Sequence, residues 1–217
     1  SRQQLLSRGR AYVAAGKHTL AETTFRESLA LTGSDDLEVR SWLAHVLQRR
    51  GELDLAEEHL LEILALDPNN VWTLGSLSQL CQTRGRFEEA LGYLERQIAV
   101  AAAPTRLCHR HVELSDRVHG AERAIRIART CLESSPIDER TRWQLAMILY
   151  REGRHDLALI ETRYVLAQSP DMIDARRLAL RLEGANGNLE AAREHKARIE
   201  LLEELSDRRP GLDLRME

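Results

Sequence analysis

Three prolines, Pro68, Pro136 and Pro170, stand at multiples of one interval, 34 residues. Ala102 fills the missing step, with Pro104 two residues later. Gly51, Gly85, Gly153 and Gly187 keep the same interval, with His119 in place of a glycine in the middle, and Gly16 precedes Gly51 by 35. Five residues after each of these turn positions comes an alanine: Ala21, Ala56, Ala90, Ala124, Ala158 and Ala192. Four residues further on stand Phe25, Leu60, Leu94, Ala128, Thr162 and Lys196. A period of this length held over six units means a stack of small supersecondary units, each contacting its neighbours and none able to bury its apolar face alone.

Each unit reads as two amphipathic helices. In the second, Val39, Leu43, Val46 and Leu47 lie at helical spacing, followed by Leu55, Ala56, Leu60, Ile63 and Leu64. The glycine between them permits a tight helix–helix turn, and the proline after the second helix cannot continue it. Together with Gly9, Tyr12, Asp67-Pro68, Phe87-Glu88-Glu89-Ala90 and Ser169-Pro170, this pattern resembles the tetratricopeptide repeat over about residues 2–206. The resemblance implies an all-α right-handed superhelical solenoid of about twelve antiparallel helices. The units fall at about 2–35, 37–70, 71–104, 105–138, 139–172 and 173–206, before a flexible tail at 207–217. The fourth is least regular: Ala99 to Pro104 replace the polar connector, and its helices are expected near 105–117 and 121–134. The last helix, about 188–206, carries Lys196, Arg198, Glu200, Glu203 and Glu204 on what reads as a solvated outer face.

Little in the sequence suggests chemistry. Phosphate-cradling, dinucleotide-binding, zinc-protease and nucleophile-elbow motifs are missing. Glu57-Glu58 and Glu88-Glu89 read as solvent-facing. Cys108 and His111 could both touch one zinc, but two ligands do not close a site. Cys81, Cys108 and Cys131 fall at core positions and read as buried thiols, with a Cys81–Cys108 bridge left open. Reduced thiols would suit the cytoplasm; a signal upstream of Ser1 would suit the periplasm. The expectation is therefore no enzyme, no cofactor and no metal. A formal net charge of -3 argues against nucleic acid as the main partner. No run approaches the roughly 18 apolar residues needed to span a membrane.

The resemblance implies a concave groove lined by the first helix of each unit, holding a partner segment. The stripes facing it run Gln3, Leu6, Arg10 and Val13, then Glu38, Ser41, His45 and Arg49, then Trp72, Gly75, Gln79 and Gln82. They continue with Arg106, His109, Glu113 and Arg117, then Arg140, Trp143, Met147, Tyr150 and Arg151, then Asp174, Arg177 and Arg181. Tryptophan and arginine are enriched at binding hot spots. The candidate partner site is Trp72, Gln79, Arg106, His109, Arg140, Trp143, Met147, Tyr150, Arg177 and Arg181. Its four arginines would form one positive ladder suited to a protein or peptide with apolar anchors and some acidic character. Lys and Asn at set places on the first helices, which grip acidic chaperone tails in some family members, are not matched here. The expected function is a non-catalytic adaptor helping assemble a bacterial complex for envelope, secretion or polysaccharide export. Two alternatives stand beside it. The array could be the targeting part of a larger enzyme such as a glycosyltransferase or sulfotransferase. It could also self-assemble into a homo-oligomer through an exposed Leu5/Leu6 face.

Overall fold

The computed structural model describes residues 1–33 and 36–207. Among them the protein is all-α, with twelve α-helices and one short 3-10 helix. In chain order these are α1 (Arg2–Ala14), α2 (His18–Thr32), α3 (Leu37–Arg50), α4 (Leu53–Leu66), α5 (Val71–Thr83) and α6 (Phe87–Val100). After the 3-10 helix Pro104–Leu107 come α7 (Cys108–His119), α8 (Ala121–Ser134), α9 (Glu139–Arg151), α10 (His155–Gln168), α11 (Ile173–Ala185) and α12 (Leu189–Asp207). Consecutive helices pair, and each pair packs on the next within two compact units, Ser1–Pro104 and Thr105 onward. Asp207 closes α12, and the rest of the expected tail lies outside the described residues.

The turn glycine is used as expected. Gly51 adopts a left-handed φ of 82° that a side chain would oppose. Its N–H donates to Gln48 O at 3.1 Å, and the Glu52 N–H donates to Leu47 O at 2.9 Å, which closes the helix end. First helices begin on a repeating cap: Asp36, Asn70 and Asp138 each accept the N–H of the third residue on, Val39, Thr73 and Thr141, at 3.3, 3.0 and 3.3 Å. Pro104 holds that place in the fourth unit and offers no acceptor. There the helix expected from 105 opens as a 3-10 turn and becomes α-helical only at Cys108. Met172 offers no cap either, yet α11 begins directly after it.

The repeating alanines are buried, Ala21, Ala56, Ala90, Ala124 and Ala158 completely. One core in the first unit runs from Leu6 to Leu80, and one in the second from Val112 to Leu182. Across helix pairs, arginine braces recur nineteen residues apart. Arg40 reaches His59 Nδ1 at 3.2 Å and also pairs with Glu62; Arg142 donates to Glu161 at 2.6 Å; Arg176 reaches His195 Nδ1 at 3.3 Å.

Four expectations are corrected. Leu5 and Leu6 are only 7% and 6% exposed, because α1 turns them onto α2; this takes Leu6 off the expected stripe and removes the ground for self-assembly through that face. Glu57 is not a solvent-facing charge: its carboxylate accepts from Arg84 at 2.9 Å and Arg86 at 2.6 Å. Cys108 pairs with Cys131, not Cys81, since α7 and α8 bring those two α-carbons to 6.0 Å. Cys81 alone is a free buried thiol, and Cys108 is unavailable as a metal ligand.

Four histidines, His45, His59, His109 and His195, are held below the usual imidazole range, first by burial and then by a neighbouring arginine. The neutral form is the one the fold favours. Their contribution is therefore complete above an unfolded pKa of about 6.5 and is lost as pH falls through that value toward the lower folded ones. Arg2 holds the Asp36 carboxyl below its ordinary range, so its contribution is also lost in acid. Thermal melts at about pH 7.5 and about pH 5.5 should show the lower midpoint in acid. Equal midpoints would contradict this assignment.

Candidate functional site

With a 34-residue period, equivalent positions of successive first helices line up side by side. In the first unit this produces a cavity of about 450 Å3 between α3 and α5, lined by Leu37, Glu38, Ser41, Trp42, His45, Asn70 and Trp72. Trp72 is 45% exposed at its rim. Gln79 is exposed on α5 but does not line the cavity. Gly75 serves packing: a β-carbon there would strike the Gln97 amide, which donates to Val71 O at 3.0 Å.

Trp42, outside the predicted stripe, is the main residue that the sequence reading missed. Its ring stacks on Phe25 with centroids 6.2 Å apart, meets His45 edge-on at 6.0 Å and carries the Arg10 guanidinium at 5.5 Å. A signal existed. The equivalent places in later units hold Ser76, Arg110, Gln144 and Leu178, mostly polar residues that do not mark a dedicated core position.

Three cavities run along the first helices of the second unit's described residues, among others. One of about 380 Å3 lies at the N-terminal ends of α7 and α9, lined by Thr105, Arg106, His109, Ser135, Ile137, Asp138 and Arg140. A second, of about 470 Å3, continues between the same helices past Val112, Glu113, Asp116, Trp143, Gln144 and Met147 to Arg151. The third, about 340 Å3, lies between α9 and α11 and takes in Asp174, Arg177, Leu178 and Arg181. Trp143, Met147 and Tyr150 line both of the last two. Trp143 is half-buried against the second core, whereas Met147 is 42% exposed. Tyr150 stacks on His155 with centroids 5.4 Å apart, and its hydroxyl accepts from Arg181 at 2.9 Å.

The four-arginine ladder is corrected here. Arg177 pairs with Glu203 at 2.7 Å and with Asp174 at 3.6 Å, and Arg181 is held on Tyr150. Arg151 binds Asp116 through two bonds of 2.8 and 2.7 Å. Arg106 and Arg140 alone of the four have no hydrogen bond or ion pair to the described residues. Burial first and Arg140 next hold His109 below its ordinary pKa, while Asp138 acts in the opposite direction. The described residues contain no cluster of three or more metal-ligating side chains and no helix long and apolar enough to cross a membrane.

Two sequence profiles of the tetratricopeptide repeat match, over residues 35–103 and 140–159. No curated protein matches. Among solved structures, the C-terminal part of a tetratricopeptide-containing protein from Cytophaga hutchinsonii aligns with a TM-score of 0.81 at 16% identity, covering 100% of this chain and 88% of that one. The pilF protein of Pseudomonas aeruginosa aligns at 0.71 with 19% identity, over 93% of this chain and 91% of its own. YrrB, described as a tetratricopeptide protein with an unusual peptide-binding site, aligns at 0.63 with 20% identity, over 82% and 91%. At such identities the likeness is one of fold.

Proposed function

We propose that this chain, a tetratricopeptide repeat protein, is a non-catalytic adaptor that holds an extended partner segment against the first helices of its second unit. Proteins of this fold serve as protein–protein interaction scaffolds and bind peptide or protein partners. The observation that carries the reading is the Trp143–Met147–Tyr150 surface, which opens into cavities on both sides of α9. An aromatic and thioether surface beside charged rims is what an apolar anchor residue requires. The peptide-binding site named for YrrB points the same way. We take the six repeats as one array whose biological role is the assembly of a larger bacterial complex of the envelope, secretion or polysaccharide-export kind. Trp72, with Trp42 beside it, offers a second anchor point in the first unit.

Panning a random phage-displayed peptide library on the whole chain tests this. The selected peptides should share an apolar anchor. Met147→Glu, at an exposed helical position that tolerates glutamate well, should weaken the best peptide by about tenfold or more, at an unchanged melting temperature. Affinity unaffected by Met147→Glu would overturn the reading.

A further inference from the structure

Arg106 and Arg140, the two unpaired arginines of the candidate site, and the second unit's apolar surface lie on one seam, and the seam's charges are unevenly placed. We propose that the seam between α7 and α9 selects a segment carrying an aspartate or glutamate side chain against Arg106 and Arg140, two or three residues from an apolar side chain seated on Trp143 and Met147. This deepens the proposed function and rests on its reading that this face holds a peptide.

Most of the cations on this face are already satisfied. Arg151, Arg177 and Arg181 are held by Asp116, Glu203 and Tyr150. Arg106 and Arg140 share a cavity and have no partner among the described residues. Asp138, the one carboxylate lining that cavity, is committed to the start of α9, accepting from the Thr141 N–H at 3.3 Å and hydroxyl at 2.7 Å. With His109 held in its neutral form by burial, two arginines against one aspartate leave a single positive charge. That surplus matches one carboxylate better than a dianionic phosphate, which Asp138 would repel.

The far part of the seam has the opposite character. Glu113 and Asp116 line the cavity that holds Trp143 and Met147, and Asp116 is already neutralised by Arg151. An acidic residue placed there would meet the Glu113 charge. The seam is thus positive at the Arg106 and Arg140 end, while Glu113 sets a negative charge beside Trp143 and Met147, which allows an acidic-then-apolar segment one orientation.

Spacing follows from helix geometry. Arg140 lies three and seven residues before Trp143 and Met147 on α9, a rise of about 4.5 to 10.5 Å at about 1.5 Å per residue. An extended segment advances about 3.3 Å per residue, so the acid and the anchor stand two or three residues apart.

The test is an array of synthetic octapeptides with one fixed leucine and aspartate, asparagine, lysine or phosphoserine at each other position, followed by solution affinities for the best. It is probed with the full chain, its Arg106→Gln/Arg140→Gln variant and Met147→Glu. The two arginines are exposed and unpaired, so the double variant should melt like the parent. The parent is expected to prefer aspartate over asparagine by about tenfold, two or three residues to one side of leucine only. The double variant should lose that preference and keep leucine-dependent binding, whereas Met147→Glu should lose the latter. Leucine-dependent binding without an acidic preference, a preference that survives the double variant, or phosphoserine preferred over aspartate would each overturn the proposal while leaving the peptide-holding reading intact. No leucine-dependent binding by the parent would overturn both.

Discussion

Ala90→Arg is expected to unfold the helix pair α5–α6. Ala90 is fully buried, and its carbonyl accepts from the buried Ser78 hydroxyl at 2.9 Å across that pair. A longer side chain at this fully buried place has no solvent to extend into unless the helices move. Arginine would force the two helices apart, at a cost of about 1–3 kcal/mol or more for overpacking. It would also bury a charge with no partner, which adds several kcal/mol unless the structure opens to water. Against a total stability of about 5–15 kcal/mol for a typical domain, the sum is enough to melt this region near room temperature. Circular dichroism should show lost helicity, and hydrogen exchange should show lost protection over Val71–Val100. Ala99→Arg, in the exposed last turn of the same helix, is the control and should melt like the parent. If Ala90→Arg also melts like the parent, the repeating alanine does not close the helix pair.

The same substitution at two glycines should move stability in opposite directions. Gly9 is buried in α1 under the ring of Phe25, and a β-carbon there would lie inside the van der Waals contact distance of three ring carbons. Phe25 is itself fully buried and stacked on Trp42, so it has little room to retreat. Gly9→Ala should therefore cost about 1–3 kcal/mol and disturb the aromatic wall of the first-unit cavity, visible as a change in Trp42 fluorescence. Gly92 lies in the exposed interior of α6, and a β-carbon added there would meet nothing within 4 Å. Gly92→Ala should raise stability by about 0.5–1 kcal/mol, because alanine loses less backbone freedom on folding. If Gly9→Ala raises the melting temperature as well, the close approach of Phe25 to α1 is wrong.

The 34-residue period was enough to read the helix pairs, the turn glycines, the buried alanines and the stripe of first-helix residues that faces the cavities. All of these depend on local rules. A helix turns about 100° per residue whatever surrounds it, a left-handed turn needs glycine, and an apolar stripe must be covered. What the period left open is where long side chains end. Arg177 could have pointed into the groove as readily as to Glu203, and Cys108 lies on a core-facing stripe whether its partner is Cys81 or Cys131. Leu6 was put on the open face and Trp42 left off it because the repeat period fixes a helix's spacing more firmly than which of its flanks the neighbouring helices cover. Only the packed helices decide that, since a few ångströms of interhelical distance determine which of several reachable groups an arginine, a thiol or an indole meets. The sequence by itself therefore determined the repeat, its turns and the face on which the first-helix cavities open. The tertiary structure decided which two of the candidate site's four arginines, Arg106 and Arg140, have no partner among the described residues.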